Sequence, residues 1–178
     1  MDPGGARDAF VVGVQALTPG AFAPFGWTPA PEGDERDERQ RLSFEWADPH
    51  LNYIAHHAGE IERTPEGAVV ERLYRHTTHT QALMPVNTDA VLVVAPAETK
   101  FTTAADRRAL RGFLLHPLDV VVLHRGTWHW GPFPVGAEPV QLLNLQGLRY
   151  REDNDSVEPG SAGLDGPVVV PLTSRPRR

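Results

Sequence analysis

The chain of 178 residues contains no cysteine. Disulfides, thiolate metal sites and a cysteine nucleophile are therefore excluded, and the absence suits a reducing, cytoplasmic setting. No uninterrupted apolar run approaches the roughly 20 residues of a membrane-spanning helix, so no membrane partner is expected. Met1 to Arg7 do not show a basic stretch followed by an apolar run, so no secretory signal is expected either. A basic stripe is missing as well. The formal net charge is −6, Arg and Lys are mixed with Asp and Glu, and the one basic cluster, Arg175-Pro176-Arg177-Arg178, reads as a frayed end. That pattern speaks against nucleic acid as a partner. Hydrophobic residues are held to 40% by two polar stretches, 31–41 and 151–166, which read as solvated loops or tails. The acidic run 32–39 either folds over a barrel mouth as a lid or stays in solvent. The length fits one domain, with a core over about 10–150 and a polar extension over 151–178.

What is present is a series of short, strand-like segments. Phe10 to Leu17, Leu51 to His57, Ala68 to His76, Thr80 to Val86, Asp119 to His124, Val140 to Leu148 and Val168 to Leu172 read as strands. Ala90 to Ala95 (Ala-Val-Leu-Val-Val-Ala) reads as a buried one, with a turn at 86–89 before it. One helix is expected near 104–115: Thr103 is a suitable N-cap, Asp106 favours the first turn, and Ala109, Leu110, Phe113 and Leu114 form an apolar stripe. His116-Pro117 would end it. Many short strands separated by Pro and Gly argue for a mainly β sandwich or small barrel.

Histidine, at eight residues, is the group from which chemistry is expected. His56, His57, His116 and His124 read as structural or solvent-facing, the usual fate of a lone histidine. Two segments stand apart. In Tyr74-Arg75-His76-Thr77-Thr78-His79-Thr80-Gln81, strand alternation puts Tyr74 and His76 on one face and Arg75 on the other, and Gln81 can return to the first face after a bend. In Asp119 to His129, a buried strand leads to a tight turn at Gly126 and a histidine at the start of the next strand.

These two segments resemble the two cupin motifs. Asp119, Gly126 and His129 match the second motif, with His124 at its usual proline. Tyr74, His76 and Gln81 stand in the first His, second His and Glu positions of the first. Within the cupins, the order Arg75-His76, Gln81, Pro85 and Trp128-His129, with Phe22, Phe25 and Gly26 nearer the start, resembles the ureidoglycolate lyase family over most of residues 10–150. Tyr74 departs from that family's glutamate, Trp130 from a second histidine, and His79 occupies a turn where a small residue is common.

The resemblance implies a cupin-type double-stranded β-helix barrel with one or two short helices, and a homodimer. It implies a lyase of purine catabolism that splits the carbinolamine ureidoglycolate into glyoxylate and urea by cleaving a C–N bond. His76 and His129 are then expected to transfer protons, because imidazole titrates near neutrality. Tyr74 is either a weaker acid through its phenol or an aromatic of the barrel wall. Arg75 is the expected carboxylate ligand, Gln81 the residue that orients an amide or hydroxyl, and Trp128 a pocket wall. His76, His79, Gln81 and His129 form a candidate set for a divalent iron, manganese, nickel or zinc ion, although a neutral amide oxygen is a poor ligand for such ions. Two alternatives stand beside the lyase: a divergent metal-dependent cupin acting as a dehydratase, cyclase or oxygenase, and a cupin that binds a small molecule without turning it over.

Overall fold

Ala90–Ala95 is apolar at every position because both of its faces are covered, as in the interior of a layered β protein. The computed structural model describes residues 8–160 and 166–175. Its strands are β1 (Phe10–Val11), β2 (Val14–Ala16), β3 (Gly26–Trp27), β4 (Pro49–His56), β5 (Arg63–Thr64), β6 (Gly67–Val69), β7 (Leu73–Arg75) and β8 (Gln81–Pro85). They continue with β9 (Ala90–Ala95), β10 (Arg111–Leu115), β11 (Val121–Leu123), β12 (Trp128–Pro134), β13 (Val140–Gly147), β14 (Asp155–Val157) and β15 (Val168–Val170). One short helix, α1 (Pro19–Phe22), is capped by the Thr18 hydroxyl and opens on proline, whose missing N–H costs nothing at that position.

A six-stranded sheet, β14-β7-β12-β9-β10-β2, faces a five-stranded one, β3-β11-β8-β13-β4. Between them lies a core of Leu92, Val94, Phe113 and Leu115 from the first sheet, Leu83, Val121 and Leu123 from the second, and Phe22 and Phe25 from the α1 segment. Phe22 meets Phe113 edge-on, with centroids 5.1 Å apart. Full burial of each such side chain contributes roughly 1.5–3 kcal/mol. The opposite face of the six-stranded sheet, with Val91, Val93, Leu114, Trp128 and Trp130, packs on Ala68, Val70, Val168 and Val170 of a third, four-stranded layer, β1-β15-β6-β5, and its flank. The result is the mainly β, cupin-type barrel that the motifs imply.

The helix expected over 104–115 is helical only in its first half. Thr103 and Asp106 do form a capping box, but the turn is a 3₁₀ helix over Ala104–Ala109, and β10 follows at once. In β10 the apolar residues alternate: Phe113 and Leu115 enter one core, Leu114 the other. Gly112 sits so close to Gly13 and Val14 that a Cβ there would come within 3.0 Å of both. Pairing with β9 at all five positions thus overrides the helical stripe.

The stretch 151–166 is not simply solvated. Asp153 is only 7% exposed, and β14 adds to the edge of the six-stranded sheet beside β7. The acidic run 32–39 carries an exposed 3₁₀ turn, Asp37–Arg39, and an Asp34–Arg36 ion pair of 2.8 Å.

Candidate active site

β7 and β12 are antiparallel, with Tyr74 opposite His129. Residues paired in this way share a face, and alternation back along the chain brings His76, Tyr74 and Arg72 to that same face. All four line a cavity of about 450 Å³, together with Gln81 and Leu83 of β8, Ile54 and His56 of β4, and Gln146 of β13. Trp130 and Phe133, on either side of a register shift in β12, also contribute to its lining. No residue of 32–39 lines this cavity.

His76 and His129 lie with ring centroids 5.5 Å apart. The His76 Nδ1–H donates to the backbone carbonyl of Asp153, which fixes the tautomer and leaves Nε2 with its lone pair. The His129 Nδ1–H donates to the Thr127 carbonyl at 3.2 Å, with the same consequence. The Gly126 N–H, at φ +82°, donates to the His76 backbone carbonyl at 2.6 Å and ties the β11–β12 turn to the backbone at His76. Burial lowers the pKa of all three clustered imidazoles. It takes His129 to about 3 with help from His76 close by, takes His79 to about 4 with the same help, and moves His76 in the same direction. Neutral rings are the form that can accept a proton.

Asp153 organises the segment between β7 and β8. One carboxylate oxygen accepts from the Thr77 N–H (2.9 Å) and hydroxyl (3.0 Å), the other from the Thr78 N–H (2.7 Å) and hydroxyl (2.6 Å). Burial alone would raise its pKa, but these bonds, led by that from the Thr78 hydroxyl, hold it at about 2. Gln81 is held as firmly: its Nε2 donates to Asn144 Oδ1 (2.8 Å) and Gln146 Oε1 (3.3 Å), and Asn144 Nδ2 donates to Asn52 Oδ1 (2.8 Å). Its carbonyl oxygen is buried without a donor.

Of the residues expected at the site, His76, His129, Tyr74 and Gln81 line the cavity; Tyr74 is 38% exposed and so reaches solvent as well. Arg75 and Trp128 do not line it. They lie on the other face of the sheet, where the Arg75 guanidinium stacks 4.3 Å from the Trp128 ring and bonds Asp155 and the Ala97 carbonyl. The alternation that aims His76 inward turns Arg75 outward, so neither has the geometry of a substrate ligand. His79 is buried behind His76, stacked on it at 4.7 Å. Sequence reasoning missed Arg72, His56 and Asp153. Arg72 was within reach by counting back in steps of two from His76. His56, whose Nδ1 lies 2.6 Å from the Pro132 carbonyl, ends β4 and gave no local signal.

Of the expected metal set, His76, Gln81 and His129 line the cavity, and His79 stacks on His76 with ring centroids 4.7 Å apart. Among the described residues, His76, His79 and Asp153 are the group whose ligand atoms lie within 4.8 Å of one another, a spacing that could hold an ion. Asp153, however, already accepts four hydrogen bonds, which fills its acceptor sites. To bind a metal it would have to release Thr77 or Thr78. His79 Nε2 is buried without a hydrogen-bond partner, so the group keeps one free ligand atom while its carboxylate is engaged by Thr77 and Thr78.

A small, mainly β barrel with His56, His76 and His129 lining one cavity is a cupin-type fold. A family model, ureidoglycolate lyase, matches residues 47–161, well over half of the chain, and includes every cavity residue named above. The chain belongs to the ureidoglycolate lyase family, and with it to the lyases. No curated protein matches it.

Proposed function

We propose that the protein cleaves the C–N bond of a carbinolamine of the ureidoglycolate type, giving glyoxylate and urea. The observation that carries this reading is the pair His76 and His129, neutral and 5.5 Å apart, beside a phenol on the same wall. His76 Nε2 accepts the proton of the substrate hydroxyl. The electron pair left on oxygen forms the aldehyde C=O as the C–N bond breaks. The departing urea nitrogen takes a proton from the Tyr74 phenol, which the His76 imidazolium replaces, so the enzyme returns to its starting state. His129 stays neutral and accepts a hydrogen bond from the ureido N–H, and the Gln81 carbonyl is a second acceptor for the same group. General acid–base steps of this kind contribute typically 10²–10⁴-fold.

The test is release of glyoxylate, followed by a coupled reductase, together with urea in equal amount. Release at a rate no greater than the spontaneous one would refute the assignment. A second reading, a metal-dependent cupin on another substrate, is favoured by the His76, His79 and Asp153 group alone; near-stoichiometric metal in chelator-free protein would support it. The same proposal includes one cytoplasmic domain that pairs as a homodimer. Leu51 and Tyr53, 62% and 66% exposed on β4, offer apolar surface for the contact, and a solution mass near 19.6 kDa would contradict the dimer.

A further inference from the structure

Among the described residues, Arg72 is the one Lys or Arg that lines the histidine cavity. It shares a strand face with Tyr74 and His76, and it lies against the Tyr74 phenol. Its guanidinium donates to Glu158 Oε1 at 2.6 Å. Both partners of this ion pair are about half exposed, 47% and 53%, so water screens the pair and it is weak. The pair stands at a junction. Arg72, Tyr74 and Glu71 also line a neighbouring groove of about 580 Å³, whose wall includes Glu158. The other charged groups lining the cavity are Glu60 and Glu71. Glu60 accepts the His57 N–H at 3.0 Å, which holds its carboxylate in place.

We infer that Arg72 is the anion anchor of the cavity, and that Glu158 is the counter-ion an incoming carboxylate displaces. The ligand class is a small monocarboxylate carrying an oxygen on its α-carbon. An Arg fork matches a carboxylate bidentately, and a bound anion exchanges one carboxylate partner for another without leaving the guanidinium unpaired. The rest of the ligand then extends past Tyr74 towards His76. The inference rests on the lyase reading for the identity of the substrate, and replaces Arg75 as the residue that would hold its carboxylate.

The experiment is calorimetric or NMR titration of the full chain with glycolate and with its neutral counterpart glycolamide. It compares wild type with Arg72→Gln, Arg72→Lys and Glu158→Gln. Arg72→Gln is expected to weaken glycolate roughly tenfold to hundredfold, the range of a charge-assisted hydrogen bond, and to leave glycolamide unchanged. Arg72→Lys should fall between, since charge is kept and the fork lost. Glu158→Gln should tighten glycolate several-fold by removing the competitor. Wild-type glycolate affinity in Arg72→Gln, equal losses for both ligands, or no glycolate binding by the wild type would overturn the anchor. The two readings fail separately. Arg72-dependent glycolate binding without ureidoglycolate turnover would remove the lyase and keep the anchor. Turnover by Arg72→Gln with an unchanged KM would do the reverse.

Discussion

Replacing Asp153 by asparagine keeps the volume of the side chain and removes its charge and half of its acceptor capacity. The wild-type carboxylate takes four hydrogen bonds from Thr77 and Thr78, two of them from backbone N–H groups. An amide can serve one of these residues with its oxygen but presents N–H to the other, so at least one buried backbone donor is left facing a donor. Leaving such a group unpaired costs about 1–3 kcal/mol. Linkage gives a second route to the number. A carboxyl titrating at about 2 in the fold against 3.8 when free contributes on the order of 2 kcal/mol, at about 1.4 kcal/mol per unit. For a lowered carboxyl this contribution is complete above pH 3.8 and is lost as pH falls towards 2. The two routes agree at about 2–3 kcal/mol, or roughly 5–10 °C in Tm for a chain of this size. Urea melts of Asp153→Asn and wild type at pH 7 measure it directly. The gap should hold from pH 8 down to about 5 and narrow below pH 4. A variant within about 0.5 kcal/mol of wild type at pH 7 would show that the Thr77-Thr78 segment does not depend on this carboxylate.

The buried imidazoles set a different pH limit. His79 and His129 titrate at about 4 and about 3 in the fold against 6.5 when free, so below pH 6.5 the unfolded chain binds protons first. Stability should therefore be greatest above pH 6.5 and decline by up to roughly 1.4 kcal/mol per unit for each ring as pH falls. A Tm that stays flat from pH 7.5 to 5 would contradict this. His76→Ala and His129→Ala should each lower kcat/KM at least about a hundredfold while far-UV circular dichroism stays that of wild type; turnover like wild type in either removes that ring from the mechanism. Gly26→Ala should unfold the β3–β11 edge, because a Cβ at Gly26 would lie 1.8 Å from the Val122 carbonyl oxygen. Soluble, cooperatively melting protein with a Tm within a few degrees of wild type would show that β3 yields more easily than this spacing allows.

Local patterns reported the barrel well where one rule governed a segment. Ala90–Ala95 was readable to the residue because a strand covered on both faces must be apolar throughout. The 104–115 segment was not, because its capping box is real but short, and the helical spacing of Leu110, Phe113 and Leu114 coincides with a strand that feeds two different cores. At the site, His76 and His129 were legible from motif order. Strand alternation, applied consistently, would have exchanged Arg75 for Arg72. Asp153 could not be found in this way. Its stretch is polar, its partners Thr77 and Thr78 lie some 75 residues earlier, and only the closed fold joins them.

The dependence of His76 on Asp153 also imposes an order on synthesis. Every strand from which the cavity's side chains come, from β4 to β13, precedes residue 148 in the chain. A chain that ends after β13 carries both imidazoles but not the Asp153 carbonyl that accepts the His76 Nδ1–H. That carbonyl comes within the next half-dozen residues, just ahead of β14, which pairs with β7. The nitrogen that His76 presents to the cavity is therefore set by a segment some 75 residues later in the chain.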